Sequence, residues 1–196
     1  MKTIAIVGKA DKRLIVYSLV RALSVQHSVC IITDDGAYRR LYIGDENTGT
    51  IGRVDISIEP TCKDKAIAQL EEFGTKYDYM IIDSSGVLPT ECDYVIYCKG
   101  IDKSFGEEEK LEIKEEVPHK EVVISYNTYD SKTTTFIVLN DTLQRYIYNM
   151  EETKQLKRIK DKNLNKILAK TLSEAVGKTP TELFNLLMSK DKRESK

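Results

Sequence analysis

The sequence predicts an α/β protein with a mostly parallel central sheet, helices on both faces of that sheet, and further helices near the C-terminal end. Short apolar runs alternate with helical patterns over the first 140 residues, which is typical of strands joined by helices. Several runs are apolar at nearly every position, which indicates strands that are buried on both faces. One run, 79–83, ends in Asp83, and ligands bind at that edge of open α/β sheets.

Length and composition set the class of protein. The chain has 196 residues, 41% of them hydrophobic, and a net charge of −1, so no overall field attracts nucleic acid or anionic membrane. Its N-terminal apolar run is too short for a signal peptide, and no 18-residue apolar stretch occurs. The four cysteines form no C-x-x-C pair, so the spacing of a metal site is absent. We expect a cytoplasmic protein.

The strands follow from the apolar runs, and the helices from residues spaced three and four apart. Helix 12–25 carries Ile15, Leu19 and Leu23 on one face, and helix 63–73 carries Leu70 and Phe73. Alternation over 54–58 indicates an edge or hairpin strand. The remaining strands are predicted at 3–8, 28–33, 79–83, 93–98, 122–126 and 134–139.

The C-terminal part is predicted to be helical. We expect residues 1–150 to form the α/β domain, and residues 151–196 to form helices packed on that domain, followed by a charged tail. Apolar residues recur at helical spacing over 151–177, where Gly177 ends the helix. Thr179 and Glu182 form a capping box before a second helix. The polar side of the first helix is basic: Lys154, Lys157, Arg158, Lys160, Lys162, Lys166 and Lys170.

That basic face, Lys154–Lys170, has two interpretations. Such a helix usually packs its apolar stripe on the domain and turns its charges to solvent. Alternatively, the basic face contacts nucleic acid or an acidic partner. The last helix has a small apolar face and carries Glu182, which favours docking on this chain or on a partner over membrane binding.

The order and spacing of several segments resemble those of the MinD/ParA family of deviant Walker-A ATPases. A strand leads into a loop and a helix, Leu-Val-Arg-Ala-Leu at 19–23 is similar to a family pattern, and 77–83 matches the strand that carries the family's magnesium-binding aspartate. Residues 92–98 and 122–127 resemble the next two strands. The resemblance covers about residues 1–140. It implies a P-loop NTPase-like fold, ATP and Mg²⁺ as ligands, a homodimer formed across the nucleotide, and protein partners.

The family's site residues can be placed on this sequence. The resemblance puts Asp83 at the Mg²⁺ position and Asn127 at the residue that contacts the base. The loop that would hold phosphate contains Gly8, Lys9, Lys12 and Arg13.

The loop departs from the family pattern in ways that argue against ATP turnover. Lys12 aligns with the invariant lysine, but Asp11 replaces a glycine and Arg13 replaces the hydroxyl residue that ligates Mg²⁺. A carboxylate about 4 Å from a phosphate oxygen costs on the order of 4 kcal/mol at an effective dielectric of about 20. Thr33 stands where the family has its water-activating aspartate, unless the register slips by one. We therefore assign no catalytic residues and expect that the protein is not an active ATPase.

Each site residue also has a simpler interpretation. Asp83 can simply cap a turn. If it is a relic of a metal site, we expect Asp83→Ala to cost little stability. Lys12 and Arg13 can be solvated residues of a first helical turn with Asp11 as N-cap, although with Lys9 they would also suit a lone phosphate. Asn127 can belong to a turn.

Three functions remain open at this point. The first is a degenerate MinD/ParA-like protein, a non-hydrolysing scaffold or positioning partner in a larger assembly. The second is an active partition or positioning ATPase that uses Lys12 and Asp83 through an atypical loop. The third is a DNA- or membrane-associated adaptor that acts through its C-terminal helices.

Overall fold

The centre of the protein is a nine-stranded sheet. The computed structural model describes residues 1–59, 68, 77–86, 89, 91–100, 113, 115–126 and 135–190. The strands are β1 (Lys2–Val7), β2 (Val29–Thr33), β3 (Ile43–Gly44), β4 (Thr48–Ile51), β5 (Val54–Ile58), β6 (Tyr79–Ser84), β7 (Tyr94–Gly100), β8 (His119–Ser125) and β9 (Thr135–Val138). Across the sheet their order is β3-β4-β5-β2-β6-β1-β7-β8-β9.

Pairing is parallel from β5 to β9 and antiparallel at the other edge. β3 pairs with β4 and β4 with β5 in antiparallel fashion, so the strand predicted at 54–58 belongs to a hairpin. All other pairs are parallel. The predicted mostly parallel α/β sheet is confirmed, whereas β3 and β4 were not predicted.

Four α-helices are described: α1 (Arg13–Leu23), α2 (Asp141–Thr153), α3 (Lys162–Val176) and α4 (Pro180–Met188). Asn140 caps α2, Asp161 caps α3, and Thr179 with Glu182 forms the predicted capping box of α4. All four contribute buried side chains to one large core on one face of the sheet. Within the described residues, no helix is long and apolar enough to cross a membrane.

The second face of the sheet carries its own buried side chains. They are Cys30, Ile32, Tyr77, Met80 and Ile82 in one cluster, and Ala5, Val7, Val95 and Tyr97 in another. The helix predicted at 63–73 falls outside the described residues, except for residue 68.

The single helix predicted over 151–177 is wrong. The chain leaves α2 at Lys154, which adopts a left-handed conformation with φ of 50°, and re-enters a helix only after Asp161. The Lys154 ammonium donates to the Tyr42 carbonyl at 2.9 Å, which ties the break to the hairpin side of the sheet. Gly177 ends α3 with φ of 67°, as predicted.

The last helix is part of the core. Leu183 and Leu187 are 0% and 3% exposed. The Arg21 guanidinium of α1 donates to the carbonyls of Leu186 and Leu187 at 3.0 and 3.2 Å and so holds the end of α4. Its apolar face is therefore used within this chain.

Candidate functional site

The carboxyl ends of three central strands meet at a polar cleft. In the register of the sheet, Asp83 on β6 lies between Ile6 of β1 and Thr33 of β2. A cleft of about 500 Å³ opens above these strand ends, a size that suits a small-molecule ligand. It is lined by Lys9, Ala10, Asp11, Lys12, Arg13, Asp34, Asp35, Gly36, Ala37, Asp83, Ser85 and Tyr126.

Gly8 allows the chain to turn out of β1. Its φ is +120°, and its N–H donates to the Ser84 carbonyl at 3.1 Å. A Cβ at this position would lie 2.1 Å from the Cys98 carbonyl oxygen, so no other residue fits without a shift of the backbone. The glycine is required by the packing of this loop against β6 and β7, whatever the cleft binds.

Lys12, Asp83 and Tyr38 form a buried polar cluster. The Lys12 ammonium lies 3.3 Å from Asp83 Oδ1 and donates to the Gly8 carbonyl at 2.5 Å. Asp83 Oδ1 makes no hydrogen bond within the described structure, so its contact with Lys12 is an ion pair without hydrogen-bond geometry. The Tyr38 hydroxyl donates to Asp83 Oδ2 at 2.6 Å, and Tyr38 is fully buried. Both oxygens of this carboxylate thus face positive or donor groups of the chain itself.

Burial sets the protonation of this cluster. Burial raises the pKa of Asp83 above its usual value, while the Lys12 charge and the Tyr38 hydrogen bond act in the opposite direction. Burial, together with the nearby Asp83 charge, raises the pKa of Tyr38 well above its usual value. Tyr38 therefore remains a neutral donor to Asp83 at physiological pH.

The surroundings of Asp83 do not fit a magnesium ion. In proteins Mg²⁺ is usually held by one or two carboxylates together with waters and substrate phosphates. Here Lys12 and Tyr38 approach the two Asp83 oxygens that would have to bind it. Arg13 is the residue that the sequence resemblance aligns with the hydroxyl ligand, and its guanidinium pairs with Asp11 and Glu151. Among the described residues, no group of three or more acidic, histidine or cysteine side chains is arranged to hold a metal.

A second cluster surrounds Arg13 at the start of α1. Its guanidinium donates to Asp11 at 3.0 and 2.8 Å, and to Glu151 Oε1 at 2.9 Å. Glu151, at the end of α2, is 4% exposed and also accepts from the Tyr17 hydroxyl at 2.9 Å. The Tyr148 ring lies 5.6 Å from the guanidinium carbon. Although burial acts to lower the pKa of Arg13, the Asp11 and Glu151 contacts raise it overall.

Asp11 is an internal anion at the beginning of α1. Its Oδ1 accepts from the Arg13 backbone N–H at 3.2 Å, and Lys12 occupies the N-cap position without a side-chain bond to the helix. The alternative that Asp11 is the N-cap and that Lys12 and Arg13 are solvated is therefore wrong, because Lys12 is 8% exposed and the Arg13 side chain 17%. A helix N-terminus attracts anions, and here the chain supplies the anion.

The acidic residues after β2 have structural partners. The Thr33 hydroxyl accepts from the Asp35 N–H, and Asp35 caps a short 3-10 helix, Gly36–Arg40. Asp34 accepts from the hydroxyls of Ser84 and Ser85 at 3.0 Å each. The bonds from Ser84 and Ser85 to Asp34 hold the segment after β2 against the end of β6.

The predicted site residues are brought together only in part. Lys12, Arg13 and Asp83 line the cleft, and Lys9 is an exposed member of its lining. Gly8 does not line it but accepts from the Lys12 ammonium through its carbonyl. Asn127 falls outside the described residues. Their roles toward a nucleotide stay predictions.

Sequence reasoning missed the residues that neutralise the site. Tyr38 and Tyr17 meet edge to face, with ring centroids 5.5 Å apart, and connect the Asp83 cluster to Glu151. Glu151 lies 138 residues after Arg13, so spacing could not reveal it. In the sequence, Glu151 is marked only by its place next to the apolar residue Met150, which the structure shows to be buried.

Comparison with solved structures returns MinD and plasmid partition proteins. MinD of Aquifex aeolicus aligns over 97% of this chain and 98% of its own, with 10% identity and a TM-score of 0.49. The MinC:MinD complex from the same organism gives 8% identity over 95% of this chain and 94% of that one, with a TM-score of 0.47. A plasmid partition protein from Borrelia burgdorferi gives 14% identity over 78% of this chain and 96% of that one, with a TM-score of 0.43.

The fold is similar to that of MinD and of plasmid partition proteins. These solved structures are of the same kinds as the family that the sequence resembles. No protein-family profile matches the chain, and no curated protein sequence matches it.

Proposed function

We propose that this chain is a degenerate MinD/ParA-like protein, a pseudo-ATPase that serves as a scaffold or positioning partner in a larger assembly. The observation that carries the proposal is the internal neutralisation of the cleft. The two cations best placed to hold phosphate, Lys12 and Arg13, are paired with the carboxylates of Asp83, Asp11 and Glu151.

A nucleotide would have to displace these contacts. Its phosphates would approach Asp11, which already accepts from the Arg13 N–H and guanidinium. Removing one member of a buried charge pair leaves the other uncompensated, which costs about 3–5 kcal/mol. The binding energy of a micromolar ligand is about 8 kcal/mol in total, so displacement together with repulsion would consume most of it.

The structural neighbours support the kind of role. The two MinD structures and the partition protein are named for cell division and plasmid partition, and one of them is a complex with the protein MinC. We therefore propose a protein partner and a partition or positioning process for this chain. A homodimer and a cytoplasmic location belong to the same proposal. The buried, free thiol of Cys30 suits a reducing compartment.

Calorimetric titration of Mg-ATP and Mg-ADP into the full chain tests the proposal. We expect no binding heat at about 1 mM nucleotide, where a ligand held by only ~4 kcal/mol is half bound, and no release of phosphate. Micromolar binding that disappears in Lys12→Ala, together with turnover, would overturn the proposal in favour of an active ATPase with an atypical loop. The variant's circular dichroism must match that of the natural chain for this comparison.

A matched pair of variants tests the physical reason. Asp11→Asn keeps the shape of the side chain but removes its charge, and Asp34→Asn makes the same change on the other side of the cleft. If Asp11 excludes phosphate, Asp11→Asn gains binding of pyrophosphate and Asp34→Asn does not. Equal behaviour of the two variants would show that Asp11 is not the excluding group.

A further inference from the structure

Helix α3 presents a row of lysines that the rest of the described chain leaves unpaired. Lys162, Lys166 and Lys170 follow one another at i, i+4 and i+8, which places them along one side of the helix over about 12 Å. All three are exposed, and within the described structure none forms an ion pair or a side-chain hydrogen bond. These three residues, with Ile167 beside them, are called the lysine face below.

Three of the four other basic side chains of this region are engaged. Lys154 donates to the Tyr42 carbonyl, Lys157 to Asn149 Oδ1 at 2.9 Å, and Arg158 to the Met188 carbonyl at 3.2 Å. These three bonds hold the irregular segment between α2 and α3 on the domain. The fourth, Lys160, is exposed and precedes α3, outside the i, i+4, i+8 row of the lysine face.

Among the described residues, the two carboxylates nearest to the lysine face along the chain are bound elsewhere. Asp161 accepts from the N–H groups of Asn163 and Leu164 as the cap of α3. Glu174, the next residue in the i+4 row, accepts from the Tyr94 hydroxyl at 3.1 Å. A fourth ammonium, that of Lys120, donates to the Lys170 carbonyl at 3.0 Å and adds positive charge beside the row. Like charges four residues apart destabilise a helix, so this arrangement does not serve the stability of α3.

An apolar side chain flanks the lysine row. Ile167 is 39% exposed and lies beside the row, one residue after Lys166 and three before Lys170, whereas Leu164, Leu168 and Leu172 are buried in the core. Single exposed apolar residues are ordinary on protein surfaces, but at this position Ile167 provides an apolar contact next to three ammonium groups.

We propose that the lysine face binds an acidic amphipathic helix of a partner protein. Carboxylates spaced i, i+4 and i+8 on that helix would match the three ammonium groups, and an adjacent apolar side chain would cover Ile167. The proposal deepens the scaffold function by naming a docking surface and the chemistry of its partner. It does not depend on whether the cleft binds a nucleotide.

Duplex DNA and membrane fit this surface less well. Proteins that bind DNA through its backbone commonly make about 6–10 phosphate contacts, and an exposed isoleucine contributes nothing to such contacts. The exposed residues of α3 include no aromatic side chain for stacking. A bilayer would receive only Ile167, because the remaining apolar side of α3 is buried.

Fluorescence anisotropy with the full chain tests this proposal. The probes are a labelled helical peptide of about 20 residues, with three glutamates at i, i+4 and i+8 beside a row of leucines, and a labelled DNA duplex of about 20 base pairs. The first variant replaces Lys162, Lys166 and Lys170 by glutamine. The control replaces Arg40, Arg53 and Arg145 by glutamine, which changes the net charge by the same amount at exposed positions on other elements.

We expect the peptide to bind the natural chain and the lysine variant to bind it about tenfold more weakly. The arginine control should stay within about twofold, since only the general field of the protein changes. Ile167→Ala should weaken binding of the peptide by about fivefold and leave any DNA binding unchanged. The proposal is overturned if the peptide does not bind, if both triple variants lose the same affinity for the peptide, or if the duplex binds more tightly than the peptide. The outcome is independent of the nucleotide titration, so the two proposals can fail separately.

Discussion

The Lys12 ammonium and the Asp83 carboxylate form an ion pair 3.3 Å long whose side chains are only 8% and 3% exposed. Burying two charges costs several kcal/mol for each ion, and their attraction offsets this cost only while both are present. In this chain the pair, with the Tyr38 hydroxyl, fills the position at which a nucleotide and its metal would otherwise be expected. The same residues that suggest an ATPase are therefore paired with each other inside the protein, where the loss of one would leave the other uncompensated.

The pair predicts strong coupling between two substitutions. Asp83→Asn should lower the free energy of unfolding by about 3 kcal/mol, because Lys12 is left buried without a countercharge. The sequence alone suggested that a substitution at Asp83 would cost little stability if the residue were a relic of a metal site, and the buried pair predicts the opposite. Adding Lys12→Met should recover about 1–3 kcal/mol of that loss. Urea denaturation of the two single variants and the double variant measures the coupling, and additivity within about 0.5 kcal/mol would show that the two charges do not interact.

Glu151 is expected to stabilise the contact between α1 and α2. In Glu151→Gln the Arg13 guanidinium loses a charged acceptor in a half-buried site, which should cost about 1–3 kcal/mol of the free energy of unfolding. Glu152→Gln is the matched control, because Glu152 is the next residue and is exposed. Denaturant unfolding of both variants decides the point. Equal effects of the two changes would show that the contacts of Glu151 with Arg13 and Tyr17 contribute nothing.

The sheet was predictable from sequence because its strands are nearly continuous apolar runs. The predicted run 54–58 matches β5, and 79–83 matches β6 to within one residue. β3 was missed because it has only two residues, and both are exposed. The break between α2 and α3 was missed because the apolar spacing continues through Leu156 and Ile159, whereas the left-handed backbone at Lys154 has no sequence signature.

The site was less predictable, because its neutralising contacts join residues far apart in the chain. The sequence resemblance placed Gly8, Lys12 and Asp83 at one site, and in the structure Lys12 contacts both the Gly8 carbonyl and Asp83. It could not show that Tyr38 would reach back 45 residues to Asp83. Long-range polar pairing depends on how elements pack, and no periodicity in the sequence encodes it.

The capping box of α4 predicts a pH dependence of stability. The hydrogen bonds from the Thr179 hydroxyl and N–H lower the pKa of Glu182 below its usual 4.5. Because the folded-state pKa is the lower one, the cap stabilises the folded state above about pH 4.5, and this contribution is lost as the pH falls through the folded-state pKa. Glu182→Ala should lower the melting temperature by about 2–4 °C at neutral pH, and by much less near pH 2.5.

Thermal unfolding followed by circular dichroism at the two pH values measures this effect. Glu152→Ala removes an exposed glutamate from α2 and serves as the control for the change in net charge. A loss in Glu182→Ala that is the same at both pH values would mean that the ionised carboxylate is not what caps α4.

Substitution of Gly8 tests whether this glycine is needed for the fold or for the approach of a phosphate. A Cβ at Gly8 would lie 2.1 Å from the Cys98 carbonyl oxygen, whereas a Cβ at Gly52, which also has a positive φ, would have no neighbour within 4 Å. Gly52→Ala should therefore cost about 1 kcal/mol for backbone strain alone. Gly8→Ala should cost at least about 3 kcal/mol, since the backbone of β1 or β7 must move.

Denaturant unfolding of the two glycine variants, without any nucleotide, measures the difference. If the glycine served only to let phosphate approach the backbone, the two variants would lose similar amounts of stability in the absence of a ligand. A much larger loss in Gly8→Ala would show that packing against β7 is sufficient reason for this glycine. A glycine at the end of β1 is then no indication that the chain still binds ATP.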